Sequence, residues 1–243
     1  MTTDPGQDES PVWTADGRRI IFTSQAGGTL GSLFWRAADG TGVAEPLMAS
    51  ERIQRPTDVL PDGTRVLFSQ PNGLMTLSLD DKRSVVPVLP EGSAPVGAGD
   101  VSPDGRWLAY VTPVAGTPQI FVSALSDPGG ARSQVTPSGG SQPKWSRDGR
   151  ELFYTALDGS LMSVPVSGGS TFAWGTPTKI FANEFYVGRG IASRGGTYDV
   201  PPDGQRFLMI KTIGDPGRLP EQPAVVVVKN WGEELKRLVP VKR

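Results

Sequence analysis

The stretch Ser102-Pro103-Asp104-Gly105-Arg106-Trp107-Leu108-Ala109-Tyr110 decides the fold of this 243-residue chain, because its pattern recurs. Each time, an apolar residue precedes an Asp-Gly pair and an apolar cluster follows it in the same register. The Asp of the pair recurs at intervals of 46, 42, 44 and 55 residues, as Asp16, Asp62, Asp104, Asp148 and Asp203. Asp-Gly between apolar runs is typical of a β-hairpin whose two central residues have positive φ. We therefore predict five hairpins, with these five aspartates as structural turn residues.

A second strand pair follows the hairpin in each unit, for example at 119–125 and 161–166. Four strands in about 45 residues make one blade of a β-propeller. The apolar runs are continuous, as expected for blades covered on both faces. We therefore predict an all-β fold, a propeller of four-stranded antiparallel blades. The expected segments are a disordered stretch at 1–9, one propeller domain at 10–240, and five blades at 10–50, 51–92, 93–137, 138–182 and 195–240.

Some architectural alternatives stay open at this point. A β-sandwich and a β-helix fit the length of the period less well. A further blade upstream would make five units an incomplete ring. The tail at 233–239 fits a short helix or the outermost strand of the last blade equally well.

Composition excludes several classes of function. The chain has no cysteine and no histidine, so neither a disulfide framework nor a Ser-His-Asp or Cys-His site can be built. Its 24 basic and 25 acidic residues nearly cancel, which argues against a nucleic-acid partner. The longest aliphatic run, Ala224 to Val228, is too short for membrane insertion. We expect a monomer. Residues 1–10 lack the features of a secretory signal, but the compartment stays undetermined: periplasmic if the chain is part of a membrane-anchored receptor kinase, and cytoplasmic otherwise.

The quoted stretch, together with the variants at 142–149 and 10–17, resembles the Ser-Pro-Asp-Gly repeat of the TolB-like, WD-repeat-like β-propeller family. The full Ser-Pro-Asp-Gly occurs only once, so no subfamily follows from it. The segments 198–208 and 225–238 are similar to the C-terminal propeller of bacterial serine/threonine protein kinases and winged-helix regulators. That resemblance implies a sensor or protein-binding module. No Gly-Lys phosphate loop or Gly-x-Gly-x-x-Gly motif is present in the chain.

Superposing the repeats suggests a site in the central channel. Four residues before each turn Asp, the five copies have Val12, Asp58, Asp100, Lys144 and Asp199. Equivalent positions on innermost strands surround a propeller channel. We call the four charged members the channel ring, and predict that it binds a polar ligand or a divalent cation such as calcium. The structural alternative is that each Asp accepts hydrogen bonds from backbone N–H groups and one pairs with Lys144. No other cofactor is expected.

The one long interval places an insertion at about 182–197. Its aromatic and guanidinium side chains are a predicted contact for acidic partners, namely Phe185, Tyr186, Arg189 and Arg194. The alternative is a connector that binds nothing. Three tryptophans outside the repeated position, Trp35, Trp107 and Trp174, fit core or inter-blade packing better than ligand stacking.

These observations favour a non-catalytic binding or sensor propeller, with a protein or a small polar ligand as its partner. The competing hypothesis is a carboxylate-dependent enzyme similar to the glycoside hydrolases that share this fold. It would use carboxyls among Asp58, Asp100 and Asp199, at about 5–9.5 Å separation and with one pKa raised.

Overall fold

The fold is a β-propeller, as seen in a computed structural model that describes residues 6–90, 97–182, 196–201, 206–212 and 223–229. Blade 1 contains β1 Asp8–Trp13, β2 Arg19–Ser24, β3 Ser32–Ala37 and β4 Glu45–Met48. Blade 2 contains β5 Arg55–Val59, β6 Arg65–Gln70, β7 Gly73–Ser78 and β8 Val85–Pro87. Blade 3 contains β9 Gly99–Val101, β10 Trp107–Val114, β11 Thr117–Ala124 and β12 Arg132–Gln134.

Blade 4 departs from the four-strand plan. It contains β13 Ser141–Trp145, β14 Glu151–Thr155, β15 Leu161–Gly168, β16 Phe172–Trp174 and β17 Thr178–Phe181. β16 pairs with the end of β15 and β17 with its beginning, so two short strands share one edge. A fifth sheet contains β18 Tyr198–Asp199, β19 Arg206–Thr212 and β20 Pro223–Lys229.

The all-β propeller of antiparallel blades is therefore confirmed, with blades 1–4 and a three-stranded fifth sheet among the described residues. β1 begins at Asp8, inside the stretch expected to be disordered. Among the described residues, the one helical element is the short 3-10 turn Ala26–Gly28. No helix in these segments is long and apolar enough to cross a membrane.

The Asp-Gly turns differ from the expected hairpin type. Gly17, Gly63, Gly105 and Gly149 have φ of 68–72°, but none of the four described turn aspartates has positive φ. In blade 3 the amide of Gly105 donates to the carbonyl of Ser102, while Ser102 N and Trp107 O close a four-residue connection. The prediction of two positive-φ residues was therefore wrong, because the Asp closes a turn before a left-handed Gly.

The turn aspartates act through their side chains. Asp104 Oδ1 accepts the Ser102 hydroxyl at 2.5 Å and the Arg106 amide at 3.1 Å. Asp16 and Asp148 accept equivalent pairs, and Asp62 accepts the amide and hydroxyl of the residue two positions later. Their structural role is that of an Asx turn. Asp203 lies outside the described residues.

Four hydrophobic clusters are found among the described residues, each shared by two neighbouring sheets. Leu108 and Tyr110 pack against blade 2, whereas Ala109 between them packs against blade 4. Alternate residues of one strand therefore face opposite neighbours, which explains the continuous apolar runs.

The described residues do not form a corresponding cluster between the fifth sheet and blade 1. Trp13 is 58% exposed, although Val59 and Trp145 at equivalent positions are only 8% and 7% exposed. Leu208 on the fifth sheet is 41% exposed. Closure of the ring by five blades therefore stays a prediction.

Candidate functional site in the central channel

Bulged inner strands build the channel. β1, β5 and β9 approach the first strand of the next blade, which makes the first strands innermost. The pairing register shifts before Val12, Asp58 and Lys144. Ser10 and Gln142 adopt left-handed φ of 56° and 54° at these shifts. A bulge bends a strand and redirects its side chains.

The structure brings Asp58, Asp100 and Lys144 together. Lys144 Nζ lies 2.8 Å from Asp100 Oδ1. Asp100 Oδ2 accepts the backbone N–H of Trp145 at 2.7 Å, and the Trp145 indole N–H donates to the backbone oxygen of Asp100 at 3.1 Å. Asp100 therefore joins blade 3 to blade 4 through both its side chain and its main chain.

The other two carboxylates of the channel ring also accept backbone N–H groups. Asp58 Oδ1 accepts from Val59 and Asp58 Oδ2 from Val101 of the next blade, both at 2.8 Å. Asp199, which is exposed, accepts from Val200 at 2.9 Å. These are the contacts that the structural alternative predicted, and ligand binding by the channel ring stays a prediction.

Burial and mutual charge perturb these groups. Desolvation, then repulsion by Asp100, raises the pKa of Asp58 to about 7, against the attraction of Lys144. Desolvation raises the pKa of Asp100, and Lys144 offsets part of the rise. Burial lowers the pKa of Lys144, but Asp100 and Asp58 outweigh it and leave that pKa above its ordinary value. The channel therefore holds one paired ammonium beside two carboxyls, whose pKa values are raised by burial and partly held down by that ammonium.

Few donors and acceptors of the channel ring remain free to bind a ligand. No three acidic side chains among the described residues are arranged to hold a metal ion. The Lys144 side chain is 28% exposed, and its ammonium has three N–H donors, of which Asp100 takes one. Asp199 Oδ2 has no hydrogen-bond partner within the described segments. Lys144 therefore has unused donors and Asp199 an unused acceptor, as the predicted polar ligand would require.

A second polar layer was missed by sequence reasoning. Gln142 Oε1 accepts the backbone N–H and hydroxyl of Thr197 at 2.8 and 2.9 Å, and the Tyr198 hydroxyl donates to the Gln142 carbonyl at 2.7 Å. Burial, with Asp100 and Asp199 nearby, raises the pKa of Tyr198 well above its ordinary value. A signal existed, since Gln142 and Thr197 both lie six residues before a turn Asp.

The other predicted contacts have different outcomes. Phe185, Tyr186, Arg189 and Arg194 lie outside the described residues. The guanidinium groups of Arg19 and Arg83 both lie over the ring of Trp35, with Cζ atoms 3.7 and 4.5 Å from its centroid.

Trp107 packs on Phe172 with ring centroids 5.4 Å apart, as the packing interpretation expected. Trp174 also stacks on Phe172, with ring centroids 5.8 Å apart, yet remains 42% exposed.

Comparisons with solved structures show the same fold. A protein assigned as TolB from Agrobacterium tumefaciens superposes with a TM-score of 0.69 at 15% identity, covering 94% of this chain and 79% of that one. TolB from Acinetobacter baumannii gives 0.60 at 14% identity, covering 93% of this chain and 50% of that one. The gluconolactonase XC5397 from Xanthomonas campestris gives 0.65 at 13% identity, covering 95% and 75%.

These likenesses establish a TolB-like β-propeller fold and nothing about activity, since the neighbours include both TolB proteins and an enzyme. The chain spans half the length of the Acinetobacter protein. No protein-family model matches the chain, and no curated protein matches it in sequence.

Proposed function

We propose that the chain is a non-catalytic binding or sensor propeller, which recognises a protein or a small polar ligand at its channel mouth and loop faces. We further propose that it serves as the sensory or scaffold module of a larger signalling protein. The similarity of segments 198–208 and 225–238 to kinase-appended propellers supports this second part, and the TolB neighbours agree with a binding role.

The observation that carries the proposal is that the buried channel carboxylates already have structural hydrogen-bond partners within the fold. Both oxygens of Asp58 accept backbone N–H groups, and both oxygens of Asp100 are occupied by Lys144 and Trp145. A general acid needs an oxygen that can carry and release a proton toward the substrate. Rigid, satisfied side chains that leave Lys144 partly exposed suit recognition better than proton transfer.

A second candidate function rests on one observation. The pKa of Asp58 is raised to about 7, beside a second buried carboxyl, as a carboxylate-dependent hydrolase requires of its acid. The gluconolactonase neighbour shows that propellers of this shape can carry enzymes. The two N–H donors on Asp58 oppose this role, because they stabilise the ionised form.

One experiment separates the two functions. The chain is melted with calcium, magnesium, chelator, neutral sugars, and short acidic or basic peptides, because a ligand of the native state raises the midpoint. We expect a dose-dependent rise with at least one polar compound, which is recovered chemically unchanged. Turnover of a glycoside or lactone that is lost in Asp58→Asn would instead favour the enzyme. If no compound changes the unfolding midpoint, the result would count against recognition of a small ligand, and a protein would remain as the proposed partner.

A further inference from the structure

A cleft of about 760 Å³ opens between blades 3 and 4, beside two Asp-Gly turns. Its apolar lining includes Trp107, Trp145 and Pro165, and its polar lining includes Asp104, Asp148 and Arg150. The volume lies in the range of small-molecule sites, which combine aromatic walls with a few polar groups. The cleft is separate from the ion pair of the channel ring, because none of the four ring residues lines it.

An extra strand braces the aromatic wall. Phe172 of β16 lies 5.4 Å from Trp107 and 6.1 Å from Trp145, measured between ring centroids. The end of β15 also packs closely against this wall, since a Cβ at Gly168 would lie 2.5 Å from the indole nitrogen of Trp107. Arg106 adds a hydrogen bond of 2.9 Å to the Gly168 carbonyl. The two indoles are therefore held in place before any ligand arrives.

The polar groups of the cleft have unused capacity. Asp148 Oδ1 accepts the Ser146 hydroxyl and the Arg150 amide, whereas Oδ2 has no hydrogen-bond partner among the described residues. The Arg150 guanidinium likewise makes no ion pair or hydrogen bond within those segments. Asp104 is paired with Arg106 at 3.0 Å. An unused acceptor and an unused donor therefore line the same cleft. The charged lining residues, Asp104, Asp148 and Arg150, sum to one negative charge, and Arg106, which pairs with Asp104 from outside the lining, brings the sum to zero.

We propose that this cleft binds a neutral saccharide. The C–H face of a sugar ring packs on a partly exposed indole such as Trp107, because tryptophan offers a broad apolar surface. Sugar hydroxyls both donate and accept, and so match the free carboxylate oxygen of Asp148 and the N–H groups of Arg150. With Arg106 beside Asp104, the charges in and around the cleft cancel, so a charged ligand would gain no net attraction. This inference rests on the proposed binding function and names one ligand class and its place.

The test is a titration of the whole chain with maltotriose, cellotriose and chitotriose, followed by calorimetry and tryptophan fluorescence. We expect at least one probe to bind, with affinity reduced about tenfold or more in both Arg150→Ala and Asp148→Asn. Arg18→Ala is the matched control, because Arg18 is exposed and follows the Asp-Gly turn of blade 1 as Arg150 does in blade 4. The control binds as tightly as the parent chain.

Two results would overturn the assignment. One is the absence of binding by all three probes up to about 10 mM, a limit at which a useful site would show saturation. The other is binding whose affinity is unchanged in Arg150→Ala and Asp148→Asn. Saccharide binding that is lost in Asp199→Asn instead would place the sugar at the channel, so the cleft proposal would fail while the binding function stood.

Discussion

Replacing Asp100 by asparagine tests whether the channel ring holds the blades together. The side chain is 7% exposed, whereas its partner Lys144 is 28% exposed. An amide keeps the shape but has one acceptor oxygen, so it can serve either the Lys144 ammonium or the Trp145 amide. The ammonium then faces an uncharged group in a poorly solvated place.

The expected cost follows from these contacts. Removing one partner of a buried ion pair costs about 3–5 kcal/mol. Lys144 retains some water, and the Asp58 carboxyl remains nearby, so we expect about 2–3 kcal/mol here. A chain of this length loses about 2–4 °C in Tm per kcal/mol, which predicts a fall of about 4–12 °C.

Thermal unfolding followed by circular dichroism measures this shift. Asp81→Asn is the control, because it removes the same charge from an exposed side chain that has no described hydrogen bond or ion pair. The double variant Asp100→Asn/Lys144→Met should lose less stability than the sum of its single variants, because the two residues interact directly. An Asp100→Asn melt within about 1 °C of the parent, together with additive single effects, would refute the reasoning.

Three further predictions concern other contacts. Gly168→Ala places a methyl 2.5 Å from an indole nitrogen, so we expect denaturant unfolding to show a loss of about 1–3 kcal/mol, whereas Gly169→Ala, with open space around its Cβ, should change little. Asp58 has a folded-state pKa raised to about 7, so its contribution to stability is greatest below about pH 4 and is lost as the pH rises through 7. Urea unfolding at several pH values should show this decline in the parent and a smaller one in Asp58→Asn. Gln142→Ala deprives the Thr197 amide and hydroxyl of their acceptor, and hydrogen exchange should report faster opening of the fifth sheet, with unchanged exchange contradicting the link.

The repeat made the blades predictable, because a turn Asp, a left-handed Gly and an apolar cluster impose the same local structure wherever they recur. Superposing the copies also placed Asp58, Asp100 and Lys144 in one channel. β16 could not be predicted, since Phe172 forms its strand by packing on Trp107 of another blade. The aromatic cleft depends on that strand, and tertiary contacts of this kind leave no periodic trace in the sequence.

The unequal residues of the channel ring follow one rule of hydrogen bonding. Each backbone N–H that follows a ring position needs an acceptor, and a carboxylate of the preceding blade supplies it for Val101 and Trp145. Val12 and Lys144 have no side-chain acceptor. In the blades that follow them, the N–H groups of Val59 and Val200 therefore donate to the carboxylates of Asp58 and Asp199 in their own blade.

Because of Lys144, the hydrogen bond between blade 4 and the Val200 N–H is missing. Its positive charge nevertheless offsets the aspartates of the channel, whereas a fourth aspartate at this position would repel the other three. The lysine therefore stabilises the ring electrostatically, and a ligand of the kind we propose for the channel would have to reach its side chain, which is 28% exposed.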